Sequence, residues 1–259
     1  MGNDSTLYGR AGMAWSVRLG GTHFHSGGED GTVALAALAA RHGFGSAPVI
    51  ADIGCGIGGP ARYLARRFGA DVIGIDIAGP LLGRAHQDAR AEEVWLRCGF
   101  VRADALALPF ADGSVPALWS LAALSHIDQE LALAEIARVA APGALFALAD
   151  WVAPVDPGDD VREAARAALG IHLLSLDAYR EAIQRAGFVI VAEELEAPPE
   201  VSPRAPSDEQ AWQTQFAVRF GVGALHAELV RSRTWAAAHR DARARTWRCV
   251  AARRAAPRP

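Results

Sequence analysis

The chain has 259 residues, 51% of them apolar and 21% charged, the make-up of a globular enzyme domain able to bury a sizeable core. A net charge of −3 gives no general attraction to polyanions, so neither nucleic acid nor anionic membrane is an expected partner. All basic residues are arginine, and the lack of lysine excludes a Walker-type phosphate lysine and a pyridoxal Schiff base together.

A Gly-rich leader over residues 1–31 has no continuous apolar stretch, so no signal peptide is expected. "TVALAALAARHG" predicts a helix closing on Gly43. Strand "PVIADI", a glycine loop, helix "GPARYLARRFG" and strand "DVIGIDI" follow. Next come helix "PLLGRAHQDARAEE", strand "LRCGFVRAD", a turn at "PFADGS" and strand "ALWSLA". Helix "QELALAEIARVAAPG" and strand "ALFALADWV" complete an alternation at βαβ spacing, which implies a mostly parallel sheet with helices on both faces. Ser175 is placed to N-cap a helix over "LDAYREAIQRAG" that Gly187 ends, ahead of strand "FVIVAEEL". Past a Pro-rich connection, Trp212, Phe216, Phe220 and Trp235 mark an aromatic helical region, and "TWRCVAARR" returns as a strand. An arginine-rich solvated tail ends the chain. No run of eighteen apolar residues occurs, so no transmembrane helix is predicted. Cys55, Cys98 and Cys249 are far apart, which points to a reducing compartment, the cytoplasm, and to no metal cluster.

The central stretch is "VIADIGCGIGGPARYLARRFGADVIGID". Gly54, Gly56 and Gly59 satisfy GxGxxG, and Asp76 stands where a ribose carboxylate would. Asp52, two residues before the first glycine, repels a pyrophosphate and attracts a ligand bearing an ammonium and a sulfonium. S-adenosyl-L-methionine fits both carboxylates, whereas NAD fits only Asp76.

"ADIGCGIGGPARYLA", "VIGIDIAGPLL", "RADALALPFADGS" and "EIARVAAPGALFALADW" together resemble the class I S-adenosylmethionine-dependent methyltransferases. The likeness is to small-molecule enzymes of the ubiquinone/menaquinone, sarcosine and natural-product sugar type, over roughly Gly27 to Val191. It implies a Rossmann-like, doubly wound, seven-stranded, mostly parallel sheet within a single α/β domain over 1–259. Residues 32–191 would form the cofactor-binding core, 1–31 a lid, 205–242 a helical cap between the last two strands and 252–259 a flexible tail. Gly54, Gly56 and Gly58 would admit the methionyl part and Asp52 its ammonium. Asp76 would take the ribose diol, Asp104 and Ala105 the adenine, and Ser120 and Leu121 the open side. Cys55 and Ile77 complete this cofactor set, Cys55 as a small loop-filling residue. "HFHSGGED" resembles an entry segment folded over the cofactor, with His23 and His25 as packing residues. Val115-Pro116 and Ala144 depart from the family pattern, and both departures read as structural.

For the chemistry, His126 in "LSHIDQ" and Asp150 in "LADWV" follow the fourth and fifth strands, where the resemblance to sugar O-methyltransferases places a base histidine and an assisting aspartate. A packing histidine is the alternative for His126. Tyr8, Trp15, the "WVAPVDPG" loop and the cap aromatics are the acceptor-pocket candidates. The expected function is methylation of a small-molecule acceptor on O, N or C, in specialised metabolism, with a homodimer left open. Cyclisation on the same cofactor-binding fold and NAD(P)-dependent oxidoreduction remain as alternatives.

Overall fold

The computed structural model describes His25, residues 27–196 and 244–254, and scattered positions between 213 and 237. Helix α1 (Gly28–Ala40) leads into β1 (Val49–Ile53), α2 (Gly59–Phe68), β2 (Asp71–Asp76), α3 (Gly79–Ala91), β3 (Cys98–Arg102) and β4 (Val115–Leu121). Then follow α4 (Gln129–Val139), β5 (Ala140–Ala153), α5 (Gly158–Leu169), β6 (Leu174–Ser175), α6 (Leu176–Arg185), β7 (Phe188–Leu195) and β8 (Arg245–Arg253). Short 3-10 turns lie at Phe44–Ser46 and Leu124–His126.

The helix boundaries follow local chemistry. Pro60 and Pro80 stand in the first turns of α2 and α3, where a missing N–H costs nothing, and Gly69 ends α2 in the left-handed region. Asp128 caps α4 by accepting from the Leu131 N–H at 3.0 Å. Ser175 caps α6 as expected, its hydroxyl accepting from the Ala178 N–H at 3.2 Å.

The strands lie in the order β3–β2–β1–β4–β5–β8–β7. The first five are parallel, and β8 is antiparallel to both neighbours. The expected α/β sheet is present, with one addition: the two-residue β6 pairs with β5 and makes eight strands. Alternate residues feed two cores. Ile53, Leu118, Phe146, Leu148 and Trp247 pack with α4 and α6 on one face. Ile50, Trp119, Ala147 and Val250 pack with α1, α2 and α3 on the other.

Three features differ from the sequence reading. Helix α1 starts at Gly28, so the helix crosses the 31/32 division drawn between leader and core. Strand β5 begins at Ala140, four residues early, because the pairing shifts at Pro116: Val115 faces Ala140 and Ala117 faces Leu145. Proline brings no ladder N–H, and the irregularity absorbs its absence. Helix α5 was not expected at all, although Asp159 in its first turn and Gly170 as a left-handed C-cap are ordinary boundary signals. Trp212, Phe216, Phe220 and Trp235 of the expected cap lie outside the described residues, as do Tyr8, Trp15 and His23. Among the described residues no helix is long and apolar enough to cross a membrane.

Removing one of these caps tests how far α6 depends on it. Ser175→Ala should cost about 0.5–2 kcal/mol, read as a lower thermal midpoint with unchanged far-ultraviolet dichroism.

Candidate functional site

The strand order reverses between β1 and β4, and at such a switch point the loops leaving the two strands diverge and open a crevice. Here the loops also press together. At Gly54, φ is +74°, and a Cβ would collide with that of Ala123 just beyond β4. At Gly58, φ is +72°, and a Cβ would meet the Phe100 ring at 2.6 Å. Only glycine satisfies both limits. Ala122, at the exit of β4, holds φ +54° without being glycine, a strained conformation fixed by its N–H donating to the Ala149 carbonyl at 2.7 Å.

Two carboxylates stand at the root of this loop. Asp76 Oδ2 accepts from the Gly56 N–H at 2.9 Å and Oδ1 from the Ala78 N–H at 2.8 Å. Asp76 thus closes the loop and anchors the start of α3, and the carboxylate keeps acceptor capacity for a ligand hydroxyl. Asp52 is 1% exposed, and its Oδ2 has no hydrogen-bond partner among the described residues. Burial, and then the charge of Asp76, push the Asp52 carboxyl up to about 8 from an ordinary 3.8, against one backbone hydrogen bond from Ala61. Burial likewise raises Asp76, against the N–H groups of Ala78, Gly56 and Ile77. A cationic ligand is what such a pair lacks. An anionic pyrophosphate would worsen it.

The remaining expected residues divide by exposure. Ile77 is exposed beside Asp76, and Leu106 is exposed beside Asp104. An exposed Asp104 turns the chain through the Leu106 N–H, at 2.9 Å, with Ala105 half-buried next to it. Cys55 is buried against its own loop, and burial lifts its thiol well above the ordinary range, in keeping with a filler. Ser120 is fully buried and donates to the Ile53 carbonyl at 3.0 Å, which knits β4 to β1 beneath the crevice. Its hydroxyl does not line the open side, and its neighbour Leu121 is also buried. His25 is buried and bonded to Thr32 in α1 at 2.9 Å, a packing role as expected.

The two acceptor-side candidates end up in different situations. His126 is half-buried in the turn after β4, with Nδ1 3.3 Å from the Gly170 carbonyl. A carbonyl only accepts, so Nδ1 carries the proton and a neutral ring keeps its lone pair on Nε2. Burial lowers the His126 pKa below its ordinary value, while Asp150 and the Gly170 carbonyl oppose the shift and His172 adds to it. Asp150 is 1% exposed and spent on the protein. Its Oδ2 accepts from the Ser125 N–H at 2.8 Å and the Tyr179 hydroxyl at 3.0 Å, and Oδ1 from the Trp151 N–H at 2.8 Å. Asp150, expected as the aspartate that assists the histidine, lies under the turn that carries His126, and both its oxygens accept from the protein. Strand alternation carried that signal, since Leu148 and Val152 flank Asp150 on the same buried face.

Arg62 was missed by the sequence reading. It is 1% exposed in α2, donates from Nη1 to the Ile57 carbonyl of the glycine loop at 2.6 Å and pairs through Nε with Glu92 at 2.9 Å. An arginine in "ARYLARRF" looks like any other helix-surface arginine, so nothing local distinguishes it. Among the described residues no group of three or more acidic, histidine or cysteine side chains could hold a metal ion.

Residues 51–148 match the family described as Methyltransferase domain. The chain is 41% identical to the chloroplastic tocopherol O-methyltransferase of Arabidopsis thaliana over 103 residues, 39% of this chain and 30% of that protein. The matched stretch spans less than half the length of the curated relatives. Among solved structures, phosphoethanolamine N-methyltransferase 2 of Haemonchus contortus, in complex with S-adenosyl-L-methionine, superposes with a TM-score of 0.75 at 22% identity, covering 97% of this chain and 59% of that one. The [4+2]-cyclase SpnF superposes with a TM-score of 0.73 at 23% identity, covering 88% and 83%. These two likenesses show the shared fold.

The buried pair has a stability signature. Below pH 3.8 the Asp52 proton is present in folded and unfolded chains alike. Between there and about 8 the unfolded chain loses it and the folded chain keeps it, so stability falls across the window and the full loss is reached above it. Without ligand, Asp52→Asn should melt higher than the parent, by a margin that grows from about pH 5 to about pH 8. Thermal melts across that range check it, and a margin independent of pH would refute it.

Proposed function

We propose that this chain, of which residues 51–148 match the family described as Methyltransferase domain, is a class I S-adenosylmethionine-dependent methyltransferase that binds S-adenosyl-L-methionine at the β1, β2 and β4 ends and methylates a small-molecule acceptor. The observation that carries the reading is the buried Oδ2 of Asp52, without a partner among the described residues, beside Asp76 and under a loop that tolerates no side chain at Gly54 or Gly58. That combination suits a ligand with an ammonium, a sulfonium and a ribose diol. It also speaks against NAD(P), the pyrophosphate of which would meet Asp52.

When bound, the cofactor supplies a methyl group on a positively charged sulfur. The protein's task is then to hold and align. Asp52 would take the ammonium, Gly54, Cys55, Gly56 and Gly58 would leave room for the methionyl chain, and Asp76 would accept from both ribose hydroxyls. The exposed side chains of Ile77 and Leu106 offer apolar surface for a flat base, with Asp104 and Ala105 at its edge. Alignment of the acceptor against the methyl can account for about 7–11 kcal/mol of the barrier.

On the acceptor side, His126 is kept neutral by burial, so at neutral pH it can receive a proton from an acceptor hydroxyl. O-methylation is accordingly the favoured chemistry. The segment ahead of α1 and residues 205–242 are assigned to the lid and the acceptor-side cap, and the cofactor-binding core runs from the start of α1 at Gly28 to residue 191. Specialised metabolism fits the Ala- and Arg-rich, lysine-free composition of a high-GC bacterial source. Cys55, Cys98 and Cys249 are free and buried, which supports a reducing compartment such as the cytoplasm. A homodimer is compatible with this reading. Cyclisation, the chemistry named for SpnF, is separated by one screen: candidate acceptors with labelled methyl donor acquire label only if the chain is a transferase.

Asp76→Ala removes the charged acceptor of the diol, and with hydrogen bonds to charged groups contributing about 1.5–3 kcal/mol each, affinity for S-adenosylmethionine and S-adenosylhomocysteine should fall at least tenfold. Calorimetry showing unchanged affinity would sink the cofactor assignment. His126→Ala should lower turnover of a hydroxyl acceptor by about two to four decades, with cofactor affinity nearly unchanged. Full turnover in that variant would assign His126 to packing.

A further inference from the structure

His126 stands next to a buried chain of hydrogen bonds that the proposed reaction does not itself require. The Tyr179 hydroxyl, on α6, donates to Asp150 Oδ2 on β5 at 3.0 Å. The same oxygen accepts from the Ser125 N–H at 2.8 Å, and the Ser125 carbonyl accepts from the His172 N–H at 2.6 Å. The His172 carbonyl accepts from Gln129 Nε2, on α4, at 3.1 Å. Tyr179, Asp150, Ser125 and Gln129 are all buried, at 5% exposure or less. Buried hydrogen bonds of this kind are strong and fix one geometry; among the described residues the Ser125 hydroxyl is the member left without a partner.

The geometry points to Tyr179 as a positioning residue: through Asp150 it locks the Leu124–His126 turn and presents the His126 imidazole to the acceptor side of the crevice. The members of this hydrogen-bonded chain explain how. Ser125 precedes His126, so its N–H on Asp150 and its carbonyl on His172 hold the backbone of the turn from both sides. Gly170, two residues before His172, supplies the carbonyl that fixes the His126 tautomer. Both clamps come from the segment between α5 and α6, and Tyr179 ties α6 to the strand beneath. The charged and titratable groups facing His126 are Asp150 from β5 and His172 from the clamp segment. Those facing Tyr179 are Asp150 and Cys249 from β8. Burial and the neighbouring Asp150 hold the Tyr179 phenol far above its ordinary pKa, so it remains a donor at any working pH.

This inference rests on His126 being the acceptor-side base, and its test is chosen to be independent of turnover. The imidazole of His126 is titrated by nuclear magnetic resonance in the full chain saturated with S-adenosylhomocysteine. Asp150→Asn removes the anion that favours the imidazolium and should make His126 titrate about one pH unit lower. Tyr179→Phe deletes only the hydroxyl; Asp150 then holds its charge less well, and His126 should titrate lower by a smaller margin. Trp247→Phe is the control. Its ring packs on that of Tyr179 at 5.6 Å without reaching the hydroxyl, so it should lower the melting point and leave the titration where it was. A His126 titration unmoved by Tyr179→Phe, or moved equally by Trp247→Phe, overturns the positioning role. Calorimetric affinity for S-adenosylhomocysteine should stay within about twofold in Tyr179→Phe, and a loss of tenfold or more would place these hydrogen bonds on the cofactor side instead. Failure of the base assignment shows separately, as full turnover in His126→Ala.

Discussion

The hydrogen bond from the Gly56 N–H to Asp76 is the tie on which the crevice depends. It joins the loop leaving β1 to the end of β2, and it does so through the carboxylate proposed to receive the ligand's ribose. The loop can reach that carboxylate only by running through left-handed backbone at Gly54 and Gly58, where Ala123 and Phe100 leave no space for a Cβ. Arg62 holds the same loop from behind through the Ile57 carbonyl. The glycine spacing, the two aspartates and the buried arginine are thus parts of one constraint.

That constraint is held at an energetic cost. Asp52 and Asp76 are buried beside each other without a cation, and a protein rarely keeps carboxylates so unless something else will complete them. Arg62 does not neutralise the pair, being committed to Glu92 and the Ile57 carbonyl. The exposed arginine pairs on the helices, such as Arg180 with Asp177, contribute little to stability and nothing to the site. Stability is withheld at the crevice floor, and a cationic ligand returns it.

The proposed acceptor side is organised by a different principle. There the ionisable groups are satisfied by the protein: Asp150 has three donors and His126 a carbonyl. A satisfied carboxylate cannot serve a substrate directly, but it can set the orientation and basicity of a neighbour. The half of the crevice proposed to hold the cofactor is left electrostatically incomplete, and the half proposed for the acceptor is pre-organised.

The sequence by itself determined the parallel sheet, the glycine loop and the two strand-end aspartates, because each is written within a few residues: a strand pattern, a spacing of glycines, an acidic residue at a strand end. It also carried Ser175 as a cap, whose partner is three residues away. Tertiary structure decided the rest. Ser120 turned inward because its partner, the Ile53 carbonyl, is 67 residues distant, and Asp150 was taken up by Tyr179 from 29 residues away. The bulge at Pro116 depends on what β5 offers opposite it. The orientation of His126 depends on Gly170, beyond a helix the sequence reading had left unassigned. Local periodicity fixes which residues form an element and where it ends. Which face a strand-end side chain presents, and whether its polar atoms remain open to a ligand, is settled only by the neighbours that packing brings to it.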